Sequence, residues 1–169
     1  GMSTIHMISF RKHRSSIMMD IIPMIIVWSV STEDDRHLYT SLQLIDVIGD
    51  VSKRSILHSE IAKAIGMIGI LQRDIRGVRE AVKIAIIIKQ KQRRISCISH
   101  IAERAWGSPL GKQLEDVVSF MNLMGEVAAP RKYEILSVLI EHLLNRVKDK
   151  KQINYTLQNL VEKIPVSRE

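Results

Sequence analysis

Ile84-Ala85-Ile86-Ile87-Ile88 is followed by Lys89-Gln90-Lys91-Gln92-Arg93-Arg94, and then by Ile95-Ser96-Cys97-Ile98-Ser99. How these three blocks fold decides the class of the whole chain. The first is a β-branched run of strand length, and the third is a second short apolar segment. The polar, basic block between them has the length of a turn. The stretch reads as a β-hairpin with a cationic tip.

Upstream of it the pattern is helical. Leu71, Ile75, Val78 and Val82 fall at i, i+4, i+7, i+11 and predict a helix from about Gly69 to Val82. Gln72, Arg73, Arg76, Arg79 and Lys83 lie on its other side. Before it, Ser59-Glu60-Ile61-Ala62-Lys63-Ala64-Ile65 reads as a short helix that Gly66 closes, as a left-handed cap would. An earlier helix is expected from about Thr40 to Val51, followed by a loop at Ser52-Lys53-Arg54-Ser55. Ile17, Ile21, Met24 and Trp28 mark a first helix, which Ile8, Met18, Ile22 and Ile25 make apolar around much of its circumference. Such a helix must be buried in a core or against a partner. Pro23 is expected to kink or break it. Thr32 or Asp34 could cap the next segment. Downstream, Leu114–Met124, Leu136–Val147 and Ile153–Ile164 carry three more helical stripes, with a break between Gly125 and Pro130. No internal repeat is visible, and no linker is long enough to separate domains.

The fold class that follows is mostly α with a small β element (α+β). A winged helix-turn-helix occupies 37–104, flanked by an N-terminal dimerisation helix in 2–36 and C-terminal dimerisation helices in 105–169. In that layout the second helix of the motif enters the major groove of DNA, and the hairpin wing reaches a flanking groove or the backbone.

Charge points to the same segment. The chain of 169 residues has formal net charge +7, and Arg73–Arg94 alone holds eight basic and two acidic side chains. The remainder is close to neutral. Clustered Lys and Arg suit a polyanion, although a solvated helix face with a lysine-rich turn would look alike.

Composition excludes several classes. Apolar residues make up 46% and charged residues 25%, the globular range. The single cysteine, Cys97, excludes a disulfide framework and a Cys-rich zinc site, and a buried thiol in a reduced, cytoplasmic compartment is the simplest reading. The longest apolar stretch, Ile17–Val30, is shorter than a membrane span and contains Asp20 and Pro23. No membrane association is expected. The six histidines are scattered and show no metal-ligand spacing. Phosphate-loop, metalloprotease and nucleophile-elbow patterns are all missing, so neither catalysis nor a cofactor is expected. Trp28 is expected in the core or a dimer interface, and Trp106 as a plug at the base of a long helix.

From about Leu42 to Arg104 the sequence resembles the MarR family of bacterial transcription regulators. Ser59-Glu60-Ile61-Ala62-Lys63-Ala64-Ile65-Gly66 looks like that family's Ser-Glu-Leu-Ala-x-x-Leu-Gly motif. Leu71–Ala81 is similar to its recognition helix, and Gln92-Arg93-Arg94 to its Asp-Arg-Arg wing triplet. Val82 stands where the family usually has Gly, and Gln92 where it has Asp. The resemblance implies a homodimer on a palindromic site in double-stranded DNA, and in many members a small-molecule effector pocket. On this reading Gln72, Arg73 and Arg76 contact the groove, and Lys91, Arg93 and Arg94 on the wing contact the phosphates or the minor groove. Gly69 lets the backbone approach a phosphate.

The alternative is an all-helical interaction adaptor whose basic segment binds an acidic protein partner. The two readings part at Ile84–Ser99, because a wing requires a hairpin there and a bundle does not.

Overall fold

The computed structural model describes residues 4–111 with Ser137, Val138, Ile140, Glu141, Asn145, Lys151, Asn154, Tyr155 and Gln158, the side chains of 5–11 excepted. Apart from those positions, the stripes expected between Leu114 and Ile164 lie outside the described residues. Five α-helices follow one another: α1 Thr4–Thr32, α2 Arg36–Ile45, α3 Val51–Leu71, α4 Ile75–Ile86 and α5 Lys91–Trp106. The described residues contain no strand.

The winged helix is therefore corrected at the stretch that was to decide it. Ile84, Ala85 and Ile86 form the last turn of α4, Ile87–Gln90 is a tight connection, and Ile95–Ser99 lies inside α5. A short β-branched run does not by itself distinguish strand from helix, and packing arbitrates. Val78, Ala81, Val82 and Ala85 are all buried, at helical spacing. So are Arg94, Cys97, Ile98, Ile101, Ala102 and Ala105, a stripe at i, i+3, i+4, i+7, i+8, i+11. A hairpin would send alternate members of both sets into solvent.

Two further boundaries move. Gly66 does not end a short helix, because α3 runs unbroken from Val51, through the expected Ser52–Ser55 loop, to Leu71. The chain turns later, at Gln72–Asp74, so the predicted Leu71-Ile75-Val78-Val82 face spans a corner. Leu71 is half exposed at the end of α3, while Val78 and Val82 are buried on α4. The α2 helix also sits earlier than expected, at Arg36–Ile45. Pro23 lies within α1 without ending it.

The glycines explain why α3 and α4 pack so closely. A Cβ on Gly69 would lie 2.9 Å from Gly77 Cα, and one on Gly66 would lie 3.2 Å from Ala81 Cβ. As the α3 position rises from 66 to 69, its α4 neighbour falls from 81 to 77, so the helices are antiparallel. Small residues at these crossings let the two backbones touch.

A repeat hidden in the sequence emerges from the geometry. Shifting α1–α2 by 40 positions lays it on α3–α4. Glu33 and Arg73, the two non-glycine residues of positive φ among the described residues, have φ 52° and 54° and close the first helix of each pair. Asp34 N–H donates to Ser29 O at 3.0 Å, and Asp74 N–H to Gly69 O at 2.8 Å. Asp34 then accepts from Arg36 N–H at 3.1 Å, and Asp74 from Arg76 N–H at 2.9 Å. Ile48 N–H donates to Ile45 O, and Ile88 N–H to Ala85 O. Arg54 Nη1 donates to Ile48 O at 3.2 Å, and Arg94 Nη1 to Ile88 O at 2.6 Å. The buried residues Ile22, Leu38, Ser41, Ile45 and Ile48 correspond to buried Ala62, Val78, Ala81, Ala85 and Ile88. The described residues thus form two tandem helix pairs and the first helix of a third. The expectation of no internal repeat is corrected. A period near 40 residues is that of helical solenoids, in which each pair buries its apolar face on the next.

The first helices of successive pairs run side by side in the same direction. The C-terminal ends of α1 and α3 meet where Gln72 Nε2 donates to Glu33 O at 2.6 Å. The early turns of α3 and α5 meet where the Cys97 thiol points at Ser59 O, 3.6 Å away. Burial pushes that thiol up to about 11. One core runs from Ile22 to Leu110.

The apolar first helix divides between two environments. Ile22 and Ser29 are buried toward α3, whereas Ile17, Ile21, Met24 and Trp28, the stripe read from the sequence, face outward. The segment Lys12–Thr32, of mean hydropathy 1.5, has the length and composition of a membrane-crossing helix, although the apolar run Ile17–Val30 within it is shorter than a span.

Candidate binding edge

The repeat gives the molecule two edges. One carries the turns inside each helix pair, at Glu33–Arg36 and Arg73–Arg76. The other carries the starts of α3 and α5 and the matching turn of α1. The residues expected to contact DNA fall on both, separated by the length of α4. At 12 residues that helix measures about 18 Å.

On the first edge, Arg73 is exposed in the left-handed turn position. Arg76 folds back on its own helix cap, with Nη2 2.9 Å from Asp74 Oδ2, and Arg36 repeats this on Asp34 at 2.6 Å. The guanidinium bonds hold both carboxyls below the usual carboxylate range, Asp34 at about 2. Gln72 is tied to Glu33, and Gly69 is buried under α4, where no phosphate could approach it. Gly69 is buried at the α3–α4 crossing, Gln72 is bonded to the Glu33 turn and Arg76 to its own helix cap, so with Arg73 they lie around a corner and not along one helix.

The second edge is more basic. Lys89, Lys91 and Arg93 lie at the α4–α5 connection, with Arg93 Nε 3.4 Å from Gln90 Oε1. Arg94 is buried and holds the end of α4, so it is a structural residue and not a wing contact. Sequence reading missed the cations that repeat geometry brings alongside: Arg14 from α1, and Lys53 and Arg54 from α3. The signal lay in the spacing, since Arg14, Arg54 and Arg94 stand 40 apart. Asp46 and Asp50 are the acidic residues of the α2–α3 connection, and Asp50 is engaged as the α3 cap, accepting from Lys53 N–H at 3.1 Å.

Two clefts open on this edge, and they are repeat equivalents. One, of about 390 Å³, is lined by Arg14, Ser15, Met18, Val47 and Ile48. The other, of about 310 Å³, is lined by Arg54, Ser55, His58, Ile87 and Lys89, with Asp46. Each therefore joins an arginine and a serine to an exposed β-branched side chain, Val47 at 57% and Ile87 at 54%. His58 Nε2 stands 3.7 Å from Asp46 Oδ1. Burial holds the imidazole below its ordinary value, the neighbouring Arg54 charge adds to this, and Asp46 opposes it. The N-termini of α3 and α5 and the C-termini of α2 and α4 share this edge, so their dipoles offset and the side chains set its charge. The clefts can take carboxylates beside apolar side chains. Among the described residues no group of His, Cys, Asp and Glu converges to hold a metal ion.

No family model, curated protein or solved structure matches the chain.

Proposed function

We propose that the chain is a helical-repeat adaptor whose basic edge binds an acidic, partly apolar segment of a partner protein. The observation that carries this is the recurrence of one cleft, an Arg-Ser pair beside an exposed Val or Ile, at equivalent positions of successive helix pairs. Neighbouring helices pack about 8–10 Å apart. An extended segment covers that distance in about three residues. The matching ligand is an extended peptide with an acidic and an apolar side chain about every third residue. Exposed Val47 and Ile87 favour such a peptide over a sugar-phosphate backbone, which has no apolar side chain to offer them. The DNA-regulator reading drew its force from a wing. Without one, that reading keeps the basic segment and the likeness of Ser59–Gly66 and Leu71–Ala81 to the family's motifs, but loses the layout that joined them.

A fluorescein-labelled 20-residue peptide of repeating Glu-Glu-Leu, compared with a labelled 20-base-pair duplex by anisotropy, tests the proposal. The expected result is peptide binding in the micromolar range at physiological salt. Lys53→Glu with Lys89→Glu should weaken it at least about tenfold, with an unchanged helical circular dichroism spectrum. Binding of the duplex alone, or peptide binding indifferent to these reversals, would overturn the reading.

A further inference from the structure

The outward stripe of α1 has counterparts inside the protein. Shifted by 40 positions, the exposed residues Ile17, Ile21, Met24, Trp28 and Leu44 become Leu57, Ile61, Ala64, Ile68 and Ile84, all of them buried. The second helix pair is thus covered at the very positions where the first is bare. What packs on it is the first pair itself, through Ile22, Ile25, Ser29 and Ile45. The α1–α2 face therefore has the chemistry of a stacking face between helix pairs. A solenoid face that stays in solvent is polar, and this one is apolar.

From this we infer that the α1–α2 face is a homodimer interface in which two copies of the chain pack face against face, α1–α2 on α1–α2. The inference rests on the repeat and is independent of the basic edge. Three observations select a second copy as the occupant. The surface that seats against such a face inside the chain is already buried on α3, so among the described residues it is not offered to another molecule. The face holds both a knob and a hole, as a two-fold interface requires. A groove of about 500 Å³ runs between α1 and α2, lined among others by Ile21, Met24, Trp28, His37, Thr40 and Leu44, and its Met24 wall projects with 71% of its surface exposed. An unbranched thioether adapts readily to such a groove. Finally, the groove lining contains no Lys, Arg, Asp or Glu, and the exposed Asp20 stands at its flank. Trp28 is held by an edge contact with His37, ring centroids 5.1 Å apart, and presents a fixed aromatic surface.

Light scattering coupled to size exclusion, on the full chain at about 50 µM, should give twice the mass of one chain. Met24→Glu with Leu44→Glu should give a monomer with unchanged helical circular dichroism, since both side chains are exposed in the single chain. Met24→Cys should give a covalent dimer with a short bis-maleimide cross-linker, whereas Ser96→Cys, exposed on α5, should not. A wild-type monomer overturns the inference, as does a dimer that survives the double substitution. Dimers that do not cross-link through Met24→Cys overturn the face-to-face arrangement, and growth beyond the dimer points to head-to-tail stacking instead. A monomer that floats with phosphatidylcholine–phosphatidylglycerol vesicles assigns the face to a membrane and overturns it as well.

Discussion

Gly69 shows how one residue changes meaning between sequence and structure. At the start of an expected recognition helix it reads as a place for a phosphate. In the fold it is the point where α3 meets α4, and an added Cβ would meet Gly77 Cα and Val78 N, both at 2.9 Å. Backbone cannot rotate away as a side chain can, so Gly69→Ala must push the helices apart. It should lower unfolding free energy by about 1–3 kcal/mol in urea titrations followed by circular dichroism. Gly49→Ala is the control, because nothing lies within 4 Å of its Cβ position. It should change stability by less than about 0.5 kcal/mol. Equal effects of the two would show that the α3–α4 crossing is not so close. Arg94 teaches the same lesson from the opposite side. In a basic run it looks solvated, yet it is buried with its guanidinium on Ile88 O. No local pattern separates it from Arg93 beside it. Only the 40-residue correspondence with Arg54 does so.

At the scale of elements, the helical character of residues 17–82 was legible because its apolar residues keep a 3.6 period. The boundaries were not legible, for two physical reasons. In the sequence Gly66 signals a stop and Gly69 a start, whereas both serve close packing inside α3. The corner at Gln72–Asp74 is made by Arg73 in a left-handed conformation that its residue type does not advertise. The run Ile84–Ile88 misled for a third reason. β-branched residues favour strands on a half-buried pleated surface, but burial against α3 and α5 overrides that preference. Ser96, exposed on α5, isolates propensity from packing. In a helix Ser96→Ala should stabilise by about 0.5 kcal/mol while Ser96→Val gains nothing. In a wing strand the order would reverse, with Val the better residue. Thermal unfolding of the two variants reads the sign directly.

At the scale of the molecule, the repeat escaped sequence reading because it is stored in geometry more than in identity. Only seven of the forty aligned positions in 11–50 and 51–90 are identical, among them Arg14/Arg54, Ser15/Ser55, Asp34/Asp74, Arg36/Arg76 and Ile48/Ile88. Several of these make the turn and cap contacts, where a particular hydrogen bond must form. The core positions need only an apolar side chain that fits, so Leu38 can become Val78 and Ile45 can become Ala85. The same repeat redistributes the charge. The basic segment Arg73–Arg94 is split across two edges, and its second half joins Arg14, Lys53 and Arg54 from earlier in the chain. The partner surface is thus assembled by stacking and is not contained in one stretch. All of this depends on five helices in 40-residue register. Backbone Cα chemical shifts of the full chain test that most directly. The account predicts continuous helical shifts over Ile75–Ile86 and Lys91–Trp106, with breaks at Glu33–Asp35, Gln72–Asp74 and Ile87–Gln90. Extended-chain shifts over Ile84–Ile88 and Ile95–Ser99 would contradict it and restore the hairpin.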